Sequence, residues 1–177
     1  MYEKVSAPFV LNSKGDLLTR DAAGLARRAV GPDGSVLTAD SSQVTGLSWQ
    51  GQWQAFATVW TASGTTPALN DGTLTFRYVQ IGKTMICRLR LVFGASTTSG
   101  TGYWKFSLPV AALDIGQAGA LYAENNGVLA YPGTVRFEDT GHIILYGVDG
   151  SQLIGQNVPF AWGVLDFINA QFTYEAA

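Results

Sequence analysis

The chain has 177 residues, room for one ordinary domain and an extension, and a formal net charge of −2. Charged residues make up 14% of it, against about 25% in an average globular protein, and it holds 21 glycines, one cysteine and one histidine. These values exclude a disordered chain, a helical bundle, an intrachain disulfide, a histidine-rich metal site and the basic field that nucleic acid requires.

The first residues, "MYEKVSAPFVLNSKG", have no basic region leading into a long apolar run, so no signal peptide is expected. No window approaches the roughly 18 uninterrupted apolar residues of a membrane-spanning helix, so no membrane insertion is expected. Composition shifts near "WQGQWQAF". Residues 1–53 balance Lys4, Lys14, Arg20, Arg27 and Arg28 against Glu3, Asp16, Asp21, Asp33 and Asp40, and before Trp49 their only aromatics are Tyr2 and Phe9. Residues 54–177 carry most of the aromatics and the long alternations. The division predicts an N-terminal arm (1–53) and a C-terminal globular domain (54–177).

Within the arm, "GDLLTR", "LARRAV" and "SVLTAD" are three short runs able to form strands, separated by "DAAG" and "GPDG". They predict a small β-meander, with Pro32 at the second position of a turn and Gly34 at positive φ. A helix over "DAAGLARRAV", with Asp21 as its N-cap and Gly24 weakening its first turn, is the competing reading. Either way large apolar residues are few. Ordering costs roughly 1–2 kcal/mol per residue, so such a segment needs a partner or copies of itself.

In the domain, "TLTFRYVQI" places Leu74, Phe76 and Tyr78 on one face. A turn at Gly82-Lys83 leads to "TMICRLRLVF", the clearest alternation, with Arg88 and Arg90 outward and Cys87 in the apolar row. Further strand candidates are "ATVWTA", "YWKFSL", "GALYAE", "VLAY", "TVRFED", "HIILYGV" and "LDFINAQFTY"; "PVAALDIG" is long enough for one helical turn. Many short strands at roughly 8–12 residue spacing predict an all-β sandwich or barrel.

"KGDLLTRDAAGLARRAVGPDGSVLTADSSQVTGLSW" resembles a module of tailed-bacteriophage fibre and spike proteins, in which a K-G-D-L run, a turn, an "L-x-V-G-x-D-G-x-V-L-T-A-D" run and a "T-G-[LV]-x-W" close follow in order. "TVWTASGTTPALNDGTLTFRYVQIGKTMICRLRLVFGASTTSGTGYWKFSLP" and "PFAWGVLDFINAQFTYEAA" are similar to a phage β-domain. Together these stretches span about residues 14–110 and 159–177. The resemblance implies a virion surface protein: a homotrimer whose arms pair around a threefold axis and lead into jelly-roll-like β-sandwich heads. Leu17, Leu18, Leu25, Val30, Val36, Leu37 and Trp49 would form the trimer and anchor arm. "MYEKVSAPFVLN" would attach it to capsid or tail proteins. Long fibres have many shaft repeats and this chain has one such module, which implies a short fibre or spike. A capsid decoration protein or head fibre, mainly structural, is the alternative.

No motif of covalent or metal chemistry stands out. There is no H-E-x-x-H, no cysteine pair and no G-x-S-x-G. "GKT" (82–84) lacks the upstream glycine of a phosphate loop and leads into a strand. The sole histidine, His142, sits at a strand start beside Gly141, where a structural role is expected. Cleaving glycans takes two carboxyl groups about 5–10 Å apart; Glu124, Glu138, Asp139, Asp149 and Asp166 are available, with nothing in sequence to pair them. No enzyme, cofactor or metal is therefore expected. Trp60, Tyr103, Trp104, Tyr122, Tyr131 and Trp162 lie near predicted strand ends, and Trp or Tyr rings stack on sugars when exposed and fill cores when not. The loops "TTSGTGYW" and "YAENNGVLAY" mix rings with small polar residues, making Tyr103, Trp104, Tyr122 and Tyr131 the candidate contacts for host-surface polysaccharide. Arg88 and Arg90 fit a solvated face, or an interface paired with an acid such as Asp166 or Glu175.

Overall fold

A computed structural model describes residues 11–147 and 152–177. The expected attachment peptide, apart from Leu11 and Asn12, and the candidate carboxylate Asp149 lie outside the described residues. The described residues form thirteen strands and no helix: β1 (Leu17–Asp21), β2 (Gly24–Arg28), β3 (Val36–Ala39), β4 (Leu47–Gln50), β5 (Gln54–Phe56), β6 (Trp60–Ala62), β7 (Thr73–Ile81), β8 (Thr84–Val92), β9 (Trp104–Ser107), β10 (Gln117–Asn125), β11 (Leu129–Asp139), β12 (His142–Gly147) and β13 (Phe167–Glu175). Two compact units divide after Gln52.

The first unit is a pair of two-stranded hairpins, β1–β2 and β3–β4. The helix over "DAAGLARRAV" is not formed. Asp21 Oδ1 accepts from the amides of Ala23 (2.8 Å) and Gly24 (2.9 Å), so the carboxylate that would have capped a helix closes a hairpin turn instead. The three runs do not form a meander either. β3 pairs forward with β4, through Leu37↔Trp49 and Ala39↔Leu47, because the segment after β2 turns away at Pro32–Ser35. There the Ser35 amide donates to Pro32 O at 3.1 Å, which puts Pro32 at the first position of the turn rather than the second. Gly34 takes φ 78°, as the turn demands. Trp49 ties the two hairpins: its Nε1 donates to Ala29 O at 2.9 Å, and a Cβ at Gly31 would run into its ring.

The second unit is one nine-stranded antiparallel sheet, ordered β5-β7-β8-β13-β10-β11-β12-β9-β6. Its two edge strands, β5 and β6, are separated in sequence by residues 57–59 alone. Laid flat, nine strands would hold their edges about 38 Å apart, whereas three linking residues reach about 14 Å. The sheet therefore curls until its ends approach, giving an all-β, sandwich-like fold. Its inner face is the core: Met85, Cys87, Leu89 and Leu91 of β8, Ile168, Ala170 and Phe172 of β13, Ile143 and Leu145 of β12, and Trp104 and Phe106 of β9 are all buried. Burial pushes the Cys87 thiol up to about 12, so it stays protonated and inert.

Two local expectations change. β11 runs unbroken through "YPG", which reads in sequence as a turn. Pro132 sits inside the strand, opposite Tyr122 of β10, and among the described residues β12 pairs β11 only as far as Gly133↔Gly147. "PVAALDIG" makes no helical turn. It is fastened by Ala112 N to Thr140 O (2.7 Å) and Leu113 N to Glu175 O (2.8 Å).

Candidate functional site

The two units differ in how much they bury. In the first, none of the described residues, 11–52, is buried. Leu17, Leu18, Leu25, Val30 and Val36 are all exposed, Leu18 at 53%, while Leu37 and Trp49 are half-buried. On β1–β2 the register Leu18↔Arg27 and Arg20↔Leu25 puts Leu18 and Leu25 on one face and Leu17 on the other. On β3–β4 Leu37, Ala39, Leu47 and Trp49 share one face. A two-stranded hairpin is marginal in water without a third strand or a packing partner, and here its apolar side chains are left uncovered.

The base of the first hairpin is held by Asp16. Its carboxylate accepts from the amides of Asn12 (3.1 Å), Ser13 (2.9 Å) and Val30 (3.1 Å) and pairs with Arg27 Nε at 2.6 Å. The Arg27 bond above all holds the Asp16 carboxyl down at about 2. A carboxyl depressed in the folded state contributes stability above its unfolded pKa, near 3.8, and loses it as pH falls through about 2. Protection of the amides of residues 17–28, measured against the exchange rate of an unstructured chain at the same pH, is thus expected to fall between pH 4 and 2, and Asp16→Asn to show that loss already at neutral pH. Unchanged protection in the variant would deny Asp16 this role.

In the second unit, the four aromatics predicted to meet a glycan do not converge. Trp104 is fully buried. It packs on Trp60 (5.2 Å), Phe93 (5.7 Å) and Trp162 (4.9 Å), and its Nε1 donates to Ser99 O at 2.8 Å. A ring with no free face has no stacking surface, so Trp104 belongs to the core. Tyr131 is half-buried against Phe160 at 5.2 Å. Tyr103 donates its hydroxyl to Glu138 Oε1 at 2.9 Å, and Lys105 pairs with the same oxygen at 2.7 Å; the Glu138 contact raises the Tyr103 hydroxyl and the Lys105 ammonium above their usual ranges. Tyr122 alone is well exposed, at 41%.

The loop "TTSGTGYW" uses its hydroxyls internally. Thr97 Oγ1 donates to Leu69 O (2.7 Å), Thr98 Oγ1 accepts from Ala68 N (3.1 Å) and Thr101 Oγ1 accepts from Thr65 N (2.7 Å). Ala68 and Thr98 also exchange a backbone pair at 3.0 and 2.9 Å. The two loops, 63–72 and 94–102, are zipped together. Asp166 is buried beneath the β10–β11 hairpin tip, accepting from the amides of Asn126 and Gly163. It is not the partner of Arg88 or Arg90. His142 Nδ1 lies 3.0 Å from Asp139 Oδ1, beside the turn at Gly141.

A different site comes together on the outer face of β7, β8, β13 and β10. The two-residue hairpin at Gly82-Lys83 sets Arg77 directly opposite Arg88. β13 places Gln171 beside Arg88 and Asn169 beside Arg90. β10 then adds Ala120 beside Gln171 and Tyr122 beside Asn169. Two adjacent rows cross the sheet: Arg77, Arg88, Gln171, Ala120; and Thr75, Arg90, Asn169, Tyr122. They line a groove of about 460 Å³. The Arg77 and Arg88 guanidiniums lie over the Trp53 ring, at 5.7 and 5.0 Å, and Arg90 over Phe167 at 5.2 Å. Asn169 Nδ2 donates to the Tyr122 hydroxyl at 2.8 Å. Among the described residues the ion pairs are Arg27–Asp16, Lys105–Glu138 and His142–Asp139, so none of the three arginines is in an ion pair; an acid on this face, Glu124, lies in the next row, beside Phe167. Sequence reasoning found Arg88 and Arg90 but missed Arg77, Asn169 and Gln171. The signal was present in "TFRYV" and "INAQF", whose polar residues occupy the outward positions of alternating runs.

No protein-family model, no curated protein and no solved structure matches this chain.

Proposed function

We propose that the chain is a surface protein of a tailed-bacteriophage virion: a short homotrimeric fibre or spike. The first unit trimerises and anchors the protein to capsid or tail. The second is a sandwich-like head that adheres to host-surface glycan, without covalent chemistry. The observation that carries this reading is the first unit's lack of any buried residue among those described, 11–52, while seven of its large apolar side chains are exposed. Two identical neighbours placed around an axis would supply the missing third strands and cover those side chains, and cyclic homo-oligomers close without leaving an open end. The phage-like pattern of residues 14–49 supports the same reading, and so does a low charged fraction of 14%, since subunit interfaces remove charged surface.

The test is location. Gold-labelled antibody against residues 54–177 is expected to decorate intact particles, at the tail for a receptor-binding fibre and over the head for a head fibre or decoration protein. Deleting residues 1–53 is expected to abolish that labelling. Particles that incorporate the truncated protein at the normal level would remove the anchoring role, and unlabelled wild-type particles would remove the virion role.

A further inference from the structure

We propose that the groove over β7, β8, β13 and β10 binds a carboxylate-bearing sugar unit of an acidic polysaccharide. This deepens the adhesion reading above and rests on it for the source of the polymer. Three observations converge. The first is charge. In a chain of net charge −2, the groove is lined by Arg77, Arg88 and Arg90 and by no acid. Two like charges directly opposite in a ladder cost stability, and the shared Trp53 ring offsets part of that cost. A structure that retains them in a groove without an acid in its lining or an ion pair to any of them is complementary to an anion from outside.

The second observation is preorganisation. Each of the three guanidiniums lies over an aromatic ring, within 5.7 Å. Stacking orients a planar fork while leaving its edge N–H groups free, the geometry that grips a carboxylate with two parallel hydrogen bonds. Among the described residues these guanidiniums donate no hydrogen bond to protein. Little ordering therefore remains to be done when a ligand arrives.

The third is asymmetry along the groove. The cations sit at the β7–β8 end, and Asn169, Gln171, Ala120 and Tyr122 continue across β13 and β10. Four strands span about 14 Å, which is long for a lone phosphate and suited to a sugar whose carboxylate sits at one end. The side chains of Gln171 and Thr75 have no hydrogen-bond partner among the described residues and are placed to meet hydroxyls. Tyr122, held by Asn169, offers a ring face for a pyranose. Ala120 keeps the floor open, and about 460 Å³ falls within the usual range of small-ligand clefts.

The experiment titrates the purified full chain calorimetrically with tri-galacturonic acid, with sialyllactose, with carboxyl-reduced tri-galacturonic acid and with inorganic phosphate. At least one of the two carboxylated sugars is expected to bind, at least about tenfold more tightly than the reduced trisaccharide or phosphate. Affinity is expected to weaken as salt rises. Arg88→Gln and Arg90→Gln are each expected to weaken binding about tenfold with melting temperature and solution mass unchanged. Arg88→Lys, which keeps the charge and loses the fork, is expected to fall between. Absence of binding to both acidic sugars would overturn the proposal. So would equal binding of the reduced sugar or of phosphate, or full affinity in both glutamine variants. A fall in solution mass in those variants would mark the face as a contact between subunits instead, and would also overturn it. Because these measurements use protein off the particle, their failure leaves virion location untouched, and unlabelled particles would leave a positive titration standing.

Discussion

Trp104→Ala is expected to destabilise the second unit by about 3–5 kcal/mol, the range for truncating a fully buried aromatic. The indole is covered on every side, contacts Trp60, Phe93 and Trp162, and spends its N–H on Ser99 O. Removing it leaves a cavity in the aromatic cluster that closes the curled sheet, and leaves the Ser99 carbonyl without that donor. For a unit of this size the shift in melting temperature is on the order of 10–20 °C. Tyr122→Ala is the control. That ring is 41% exposed and loses one hydrogen bond to Asn169, so its cost is expected to stay within about 1 kcal/mol. Denaturant unfolding followed by tryptophan fluorescence measures both. Near-equal midpoints for the two variants would place Trp104 at the surface and contradict the fold described here.

The second large effect concerns the arm. Leu18→Asp combined with Leu25→Asp is expected to convert a trimer to monomers. The two leucines share a face of the β1–β2 hairpin, and each is about half exposed, so in a lone chain the change removes little packing. Buried at a threefold interface, each leucine would contribute about 1.5–3 kcal/mol, once per chain, and a carboxylate in its place would be desolvated as well. The melting transition of the second unit is expected to stay where it is, because its core, from Trp60 to Ala176, contains no residue of the arm. Sedimentation velocity separates the outcomes. A double variant that sediments like the wild type would show that this face is not the assembly surface.

How much of this was legible beforehand follows from how local each contact is. β7 and β8 were readable as a hairpin: the alternation holds from Thr73 to Tyr78 in one and places Met85, Cys87, Leu89 and Leu91 on one face of the other, and the two-residue turn between them fixes Arg77 opposite Arg88 without further information. The next neighbours were not readable. β13 joins β8 across some seventy-five residues of chain and β10 joins β13 across more than forty, and nothing in an alternating run names its partner strand. The groove needs all four, so half of its lining could not be assembled from sequence. Trp104 shows the complementary failure. "YWKFS" carried the parity of burial, since Trp104 and Phe106 alternate with Lys105, but proximity to a Ser/Thr-rich loop suggested a surface. That loop instead pairs with residues 63–72, a contact no local pattern announces. In the arm, the runs were legible as strands and their pairing was not: Asp40, whose carboxylate accepts from the Ser42 amide and hydroxyl, shapes the turn that carries β3 forward to β4 rather than back to β2.

The most direct test of the account is the solution mass of the intact chain. Light scattering at micromolar concentration is expected to give about three times the 18.9 kDa of one chain, with no change on tenfold dilution. A mass of one chain at that concentration would contradict the claim that the uncovered hairpins of residues 11–52 are built to be completed by copies of themselves.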